Sequence, residues 1–360
     1  MRIDTGIPMI EGMECPITVE PECRAKIADM LSPLNPGAVF IITDDTVKQL
    51  YGIEMERQLR DAGFRAHIIS FPSGEEHKRI DTVIGITSQL LKHMADRTSI
   101  IIGLGGGVAT DIAGFVASIF MRGIPHILMP TTLLGQVDAS IGGKSAIDLD
   151  EGKNLIGSFH YPRIVLVDPE VLGTLPEDVY ADGMVELSKH GIALDAKHFV
   201  EIEQNLEAMQ QRDTDTMTML IAHSIGVKVK IVEEDFAESG PRARLNYGHT
   251  FAHAIELLSD FSITHGRAVA AGMIMAGELS HIMGFLKEED KLRAEKLIRS
   301  LLPLPKVLFK PEEILAKMQH DKKTRNGKNR LVLIRRIGES FIEEDVPRQD
   351  IIKAIERYKP

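Results

Sequence analysis

The first clear hydrophobic pattern is Ala38–Thr43, an unbroken apolar run of the kind a strand covered on both faces requires. Asp44-Asp45 closes it, and helical periodicity follows from Thr46 to Ala62, ending at Gly63. Ala66–Ser70 is a second predicted strand, bounded by Pro72-Ser73-Gly74. Glu75–Arg97 reads as a helix, with apolar positions at Ile80, Val83, Ile84, Ile86, Leu90 and Leu91. Ile100–Leu104 is a third strand, Gly105-Gly106-Gly107 a turn, and Asp111–Arg122 a helix. Ile127–Met129 and Ile164–Val167 are further buried strands, whereas residues 1–35 are mixed and punctuated by Pro8, Pro16, Pro21 and Pro33. Strands alternating with helices predict an α/β domain over 1–176 with a mostly parallel, Rossmann-like sheet.

After Pro176 the period changes. Helical segments run from Glu177 to Leu302, Pro303 and Pro305 mark a break, and a strand Arg330–Ile334 and a helix Pro347–Tyr358 complete the pattern. A mainly α-helical second domain is therefore expected over 177–360, with an active site in the cleft between the two. The pattern contains no internal repeat and no low-complexity tract.

Charge and cysteine usage narrow the function classes. A net charge of −10 argues against nonspecific nucleic-acid binding, so local basic groups would serve a small anionic ligand. Ser99–Phe120 is nearly uncharged, but its five glycines and Asp111 suit strand, loop and helix, not a membrane span. Cys15 and Cys23 form no Cys-x-x-Cys motif, and the first residues carry no apolar signal segment. A cytoplasmic, reducing location is the expectation.

Several stretches carry candidate chemistry. Gly103-Leu-Gly-Gly-Gly-Val-Ala-Thr-Asp111 follows a strand and opens a helix, where glycines let backbone N–H groups approach a pyrophosphate. Val108 holds the third glycine position of the Rossmann fingerprint, so a plain tight turn competes with nucleotide binding. Pro130–Lys144, followed by Lys153-Asn154, brings together hydroxyls, a carboxylate, glycines, lysines and an amide, as a phosphate site would; a solvated loop is the alternative. The apolar residues within it suggest burial, in which case its lysine needs an anionic partner. Glu186 and Lys189 stand at i,i+3, readable as a surface ion pair or as a ligand and its neighbour. His249 and His253, about 6 Å apart along a helix axis, with His265 in the next polar break, suit either a hydrogen-bonded helix face or a zinc-like ion with an open position. Arg242, Lys228, Lys230 and Lys322-Lys323 are basic positions in an acidic chain.

Together these stretches resemble the 3-dehydroquinate synthase family of sugar-phosphate cyclases from about Asp44 to Lys323. The likeness is most specific at Met-Arg-Gly (121–123), Pro-Thr-Thr-Leu-Leu (130–134), Gln-Val-Asp (136–138), Gly-Gly-Lys (142–144), Gly-Lys-Asn-Leu-Ile-Gly (152–157), Leu-Asn-Tyr-Gly-His-Thr-Phe-Ala-His-Ala-Ile-Glu (245–256) and His-Gly (265–266). The resemblance implies a metal, zinc or cobalt, on Glu186, His249 and His265, with His253 in the substrate pocket handling a proton or contacting phosphate. It implies NAD at Asp44, Glu75, Lys78, Gly106, Gly107, Asp111, Thr131, Thr132, Lys153 and Thr174. Substrate contacts would be Asp138, Lys144, Asn154, Lys189, Lys228, Arg242, Asn246, His253 and Lys322 (or Lys323). Arg122 resembles an arginine that reaches the neighbouring subunit's substrate phosphate, which implies a homodimer.

The implied reaction converts 3-deoxy-D-arabino-heptulosonate 7-phosphate to 3-dehydroquinate and phosphate, with transient oxidation by NAD, phosphate elimination, re-reduction and aldol closure. Two other readings compete: a sibling cyclase acting on another sugar phosphate, and a metal-dependent polyol or glycerol-phosphate dehydrogenase that would accumulate NADH. This chain departs from the family pattern at Thr110 (usually glycine), Ser188 (isoleucine), His190 (tyrosine), Ala252 (glycine) and Arg267 (glutamate). Thr110 is expected to crowd the nucleotide turn, and Arg267 to alter the charge beside the metal.

Overall fold

In the computed structural model, which describes residues 1–3, 15–235, 240–319 and 330–360, contacts group the chain into two units. One is Met1–Leu175 with Met217–Val229, and the other is Pro176–Thr216 with Lys230–Pro360.

The first unit holds strands β1 (Arg2–Ile3), β2 (Ile17–Val19), β3 (Val39–Asp44), β4 (Ala66–Phe71), β5 (Ile100–Gly105), β6 (His126–Pro130), β7 (Lys144–Leu149), β8 (Gly152–Phe159) and β9 (Ile164–Val167). Its helices are α1 (Ile27–Leu31), α2 (Asp45–Val47), α3 (Ile53–Asp61), α4 (Ile80–Lys92) and α5 (Gly107–Ile119). Among the described residues, seven strands form one sheet in the order β1-β2-β9-β6-β5-β3-β4, parallel except at β1–β2. Val39 aligns with Ala66 on one side and Ile100 on the other.

The unbroken apolar runs have a direct cause. Phe40, Ile42 and Ile101 pack with Val83, Ile86, Ile112 and Val116 on one face. Val39, Ile41, Ile100 and Ile102 pack with Ile27, Leu31, Met55 and Leu59 on the other. With helices on both faces, neither alternating set can be polar. The chain passes from β3 to β4 on one side and then places β5 on the other, so the order reverses between β3 and β5. In open parallel sheets, ligands bind beyond the strand C-termini at such a reversal.

The second unit holds α6 (Glu177–Leu194), α7 (Ala196–Gln204), α8 (Leu206–Gln210), the ends of α9 (Thr214–Glu234), α10 (His249–Leu258), α11 (His265–Ile282), α12 (Glu288–Leu301), α13 (Pro311–Gln319), β10 (Arg330–Arg336), β11 (Glu339–Glu344) and α14 (Arg348–Arg357). Asp195 caps α7 through the Lys197 and His198 N–H groups, and Asp213 caps α9 through that of Thr216. α11 is buried almost all round, from Ala268 to Ser280, as befits a helix at the centre of a bundle. It lies very close to the start of α10: a Cβ on Gly272 would sit 2.2 Å from the Gly248 carbonyl oxygen. Gly248 itself has φ 79°, a left-handed conformation that disfavours a side chain. No described helix is long and apolar enough to cross a membrane.

Several elements differ from the sequence expectation. The helix expected over 75–97 is a 3₁₀ turn, Glu75–His77, followed by the shorter α4. The one expected over 46–62 is interrupted by a π turn at Lys48–Gly52. Lys144–Phe159, where a solvated loop was one alternative, is the antiparallel hairpin β7–β8. The late strand gains a partner in β11. β1 and β2 were missed because two- and three-residue strands are too short to show a period.

Candidate metal centre and nucleotide turn

Three helices of the second unit each supply one candidate ligand. Glu186 lies mid-way along α6 and is fully buried. His249 is the first residue of α10 and His265 the first of α11. Glu186 Oε1 stands 3.5 Å from His249 Nε2 and 3.5 Å from His265 Nε2. All three ligand atoms lie within 4.8 Å of one another. Atoms about 2.0–2.2 Å from a tetrahedral zinc are about 3.3–3.6 Å apart, so the two carboxylate–imidazole separations match those of such an ion.

Neighbouring groups fix which nitrogen faces inward. His249 Nδ1 donates to the Tyr247 carbonyl at 3.2 Å, and His265 Nδ1 to Glu256 Oε1 at 3.3 Å. Both acceptors lack a proton, so Nδ1 carries the hydrogen and Nε2 is left to ligate. Lys189 Nζ donates to Glu186 Oε2 at 2.5 Å, leaving Oε1 directed at the imidazoles. Burial drives His249 well below the usual histidine range, and the Lys189 charge adds to this. Burial also opposes a charge on His265, but Glu186 and Glu256 outweigh it and push that imidazole up to about 10, so without an ion its Nε2 is protonated toward Glu186 and an ion would displace that proton. The His249–His253 pair that spacing suggests is an edge-on ring contact at 5.7 Å, and His253 is not one of the convergent ligands.

His265-Gly266 has a packing reason. A Cβ on Gly266 would lie 2.4 Å from the Asp182 Cα of α6, so only glycine lets the two backbones approach. Of the departures from the family pattern here, Ser188 and His190 are buried, Ala252 packs at the α10–α11 approach, and Arg267 is exposed. Arg242 is buried and its N–H donates to Asp235, while Asn246 is half-buried. Lys322 and Lys323 lie outside the described residues.

In the first unit, the glycine turn sits at the reversal between β3 and β5. Gly105 has φ 151° and Gly106 caps α5. Added Cβ atoms would meet Ala109 at 2.6 Å and Thr132 at 2.9 Å, so the backbone is open only without side chains. The Thr131 N–H donates to the Gly105 carbonyl, which ties the ends of β5 and β6 together. Asp44 closes β3 and accepts from the Thr46 and Val47 N–H groups and from Ser73 Oγ. The Thr110 hydroxyl turns back onto the Gly106 and Gly107 carbonyls at 3.2 and 3.1 Å, within its own helix.

Lys78 is buried and joins two elements: its Nζ lies 2.6 Å from Asp111 Oδ2 and 2.6 Å from Asn154 Oδ1. Burial opposes its charge, but Asp111 and Glu75 prevail and hold the ammonium above its usual range. Asp148, which the sequence reading missed, accepts from the Asn154 N–H at 2.7 Å, and its own N–H donates to the Lys78 carbonyl. Asn154 is thereby held at φ 54°. Lys228 donates to the Asp138 carbonyl at 2.6 Å and to its carboxylate. Lys144 is exposed at the start of β7, so the expectation of burial holds for Leu133, Val137 and Ile141 but not for the lysine. Lys153 pairs loosely with Glu75 at 4.0 Å. The Thr174 hydroxyl bonds Tyr51. Arg122 is exposed, with Met121 and Arg122 both left-handed at φ 48° and 69°.

Glu256 and Asp182 also escaped the sequence reading. The available signal was spacing: Glu256 follows His249 by two helical turns, and Asp182 precedes Glu186 by one.

Comparison with known proteins gives a consistent result. The model described as 3-dehydroquinate synthase N-terminal matches residues 68–182, and that described as 3-dehydroquinate synthase C-terminal matches 183–324. A 3-dehydroquinate synthase of Dehalococcoides mccartyi is 40% identical over 352 residues, covering 97% of this chain and 98% of that protein. A solved 2-deoxy-scyllo-inosose synthase, complexed with carbaglucose-6-phosphate, NAD+ and Co2+, is 25% identical with a TM-score of 0.89 and covers 100% of both chains. The 2-epi-5-epi-valiolone synthase of Streptomyces hygroscopicus, with NAD+ and Zn2+ bound, is 26% identical with a TM-score of 0.88, covering 97% of this chain and 98% of that one.

Proposed function

Because the chain belongs to the 3-dehydroquinate synthase family and is an enzyme with that family's activity, we propose that Glu186, His249 and His265 hold its divalent metal. The observation that carries this reading is the approach of one buried carboxylate oxygen to two Nε2 atoms at equal distance. The structural relatives that contain NAD+ with Zn2+ or Co2+ support the same cofactor pair here. Held there, NAD would supply reversible hydride acceptance at one substrate carbon, and a divalent ion would supply polarisation of the hydroxyl on that carbon.

The chain's own part is binding and orientation. Asp44, Gly106, Gly107, Thr131 and Thr132, at the β3–β5 reversal, are assigned to NAD, together with Lys78 and Asp111. Glu75, Lys153 and Thr174 belong to the same assignment. Lys144, Asn154 and Arg122 are assigned to the substrate phosphate, and Lys228, Arg242 and Asn246 to its carboxylate end. Asp138 and Lys189, paired with Lys228 and Glu186, are likewise assigned to substrate contact. The His253 imidazole, half-buried beside His249, is assigned to proton handling or phosphate contact. By the family resemblance, Arg122, exposed here, is assigned to the substrate phosphate of a neighbouring copy in a homodimer. A cytoplasmic location agrees with two buried free thiols, Cys15 and Cys23, both pushed up to about 12 by burial and thus unreactive.

The test is phosphate release from 3-deoxy-D-arabino-heptulosonate 7-phosphate with catalytic NAD, with and without chelator, while NADH absorbance is followed. Chelator-sensitive release without net NADH is expected. Net NADH from glycerol or a polyol, with no phosphate released, would move the protein to the dehydrogenases.

A further inference from the structure

The candidate ligand His265 opens α11, yet the residue before it, Thr264, makes no side-chain cap to its own helix. The capping group comes from another helix. Thr264 Oγ1 donates to Asp182 Oδ1 at 3.0 Å, and the Gly266 N–H bonds the same carboxylate. Asp182 therefore holds the Thr264 side chain before His265 and the Gly266 backbone after it. The missing Cβ of Gly266 is what allows this, since an added one would lie 2.5 Å from Asp182 Oδ1. Asp182 stands one turn before Glu186 on α6, and i,i+4 residues share a helix face. That face thus presents two carboxylates, Glu186 to the ligand atoms and Asp182 to the backbone that carries the third of them. Glu256 holds the His265 ring from the side opposite Nε2.

We propose that Asp182 is a positioning residue that sets the start of α11 so that His265 Nε2 faces Glu186. This rests on the reading of Glu186, His249 and His265 as the metal ligands. The buried packing of α11 from Ala268 to Ser280 would keep the helix itself, so the loss of Asp182 should be felt as misplacement of one ligand. Carboxylates behind metal-binding histidines typically alter metal affinity by about ten- to a hundredfold.

The experiment measures Co2+ affinity by chelator competition, and the visible spectrum of the Co2+-loaded protein, for the wild type, Asp182→Ala, Thr264→Val and Glu186→Gln. Asp195→Ala, which removes the cap of α7, controls for generic cap loss. Glu186→Gln must lose Co2+ binding; if it does not, the ligand assignment fails first. Given that loss, Asp182→Ala is expected to bind Co2+ about ten- to a hundredfold more weakly, with a changed spectrum, while Asp195→Ala is unchanged in both. Thr264→Val, which removes one of the two contacts, is expected to fall between, and it carries the test alone if Asp182→Ala does not fold. Wild-type affinity and spectrum in Asp182→Ala, or in Thr264→Val where that variant stands alone, would overturn the proposal.

Discussion

Lys189 Nζ and Glu186 Oε2 form a 2.5 Å ion pair in which both side chains are essentially inaccessible to solvent. An i,i+3 pair of this kind reads in sequence as a surface contact; here it lies in the interior. Removing one member of a buried pair leaves a charge in low dielectric, at a typical cost of about 3–5 kcal/mol. Lys189→Met is therefore expected to lower the unfolding free energy by about 3 kcal/mol. Added Zn2+ should recover part of that loss by supplying positive charge at the other oxygen. Denaturant titrations with and without metal check this, and a wild-type midpoint in the metal-free variant would rule it out.

Lys78 links Asp111 of α5 to Asn154 of β8, so it is expected to affect cofactor and substrate together. Lys78→Met should weaken NAD binding at least about tenfold, the loss of roughly one charged hydrogen bond, and should raise the KM for the sugar phosphate. Calorimetric titration of NAD and steady-state phosphate release report the two effects separately. A change in one alone would mean that the link does not couple them.

Thr110 bonds its hydroxyl into the first turn of its own helix. With the hydroxyl engaged there, the side chain is expected to leave the glycine turn open to the cofactor. Thr110→Gly should cost about 0.3–0.5 kcal/mol of stability from helix propensity while NAD affinity stays within about threefold, a difference of less than one ordinary hydrogen bond. Tightening of NAD by tenfold or more would restore the crowding view.

His126 begins β6 in complete burial, stacked on His160 at 4.9 Å between ring centroids. Burial, helped by His160, pushes its imidazole down to about 3. The unfolded chain takes up this proton near pH 6.5, and the folded chain does not until near pH 3. Over that interval the unfolded state binds more protons, so this residue's contribution falls as pH falls. The loss between pH 7 and pH 5 should be about 2 kcal/mol, and it should disappear in His126→Leu. Urea unfolding of both proteins at the two pH values tests the difference of slopes.

Much of the first unit was legible because its signal is local. A strand buried on both faces must be apolar throughout, so Ala38–Thr43 and Ile100–Leu104 could be assigned without a partner in view. The glycines after β5 marked a turn that accepts no Cβ, and the structure puts that turn at the β3–β5 reversal. The β7–β8 hairpin stayed hidden because its exposure pattern follows no clean alternation and Gly152 interrupts it.

The sequence by itself determined which residue types were available for a metal: the carboxylates of α6, Glu186 among them, and three histidines near the start of α10 and α11. Spacing alone favoured His249 with His253, since periodicity reports only which residues share a face of one helix. Tertiary structure pairs His249 with His265 instead. The reason is the contact of Gly272 with Gly248, which brings α11 against the start of α10, and that of Gly266 with Asp182, which brings it against α6. Those backbone approaches place Glu186 Oε1 between two Nε2 atoms, a convergence that depends on packing among three helices and is written in no single stretch of the chain.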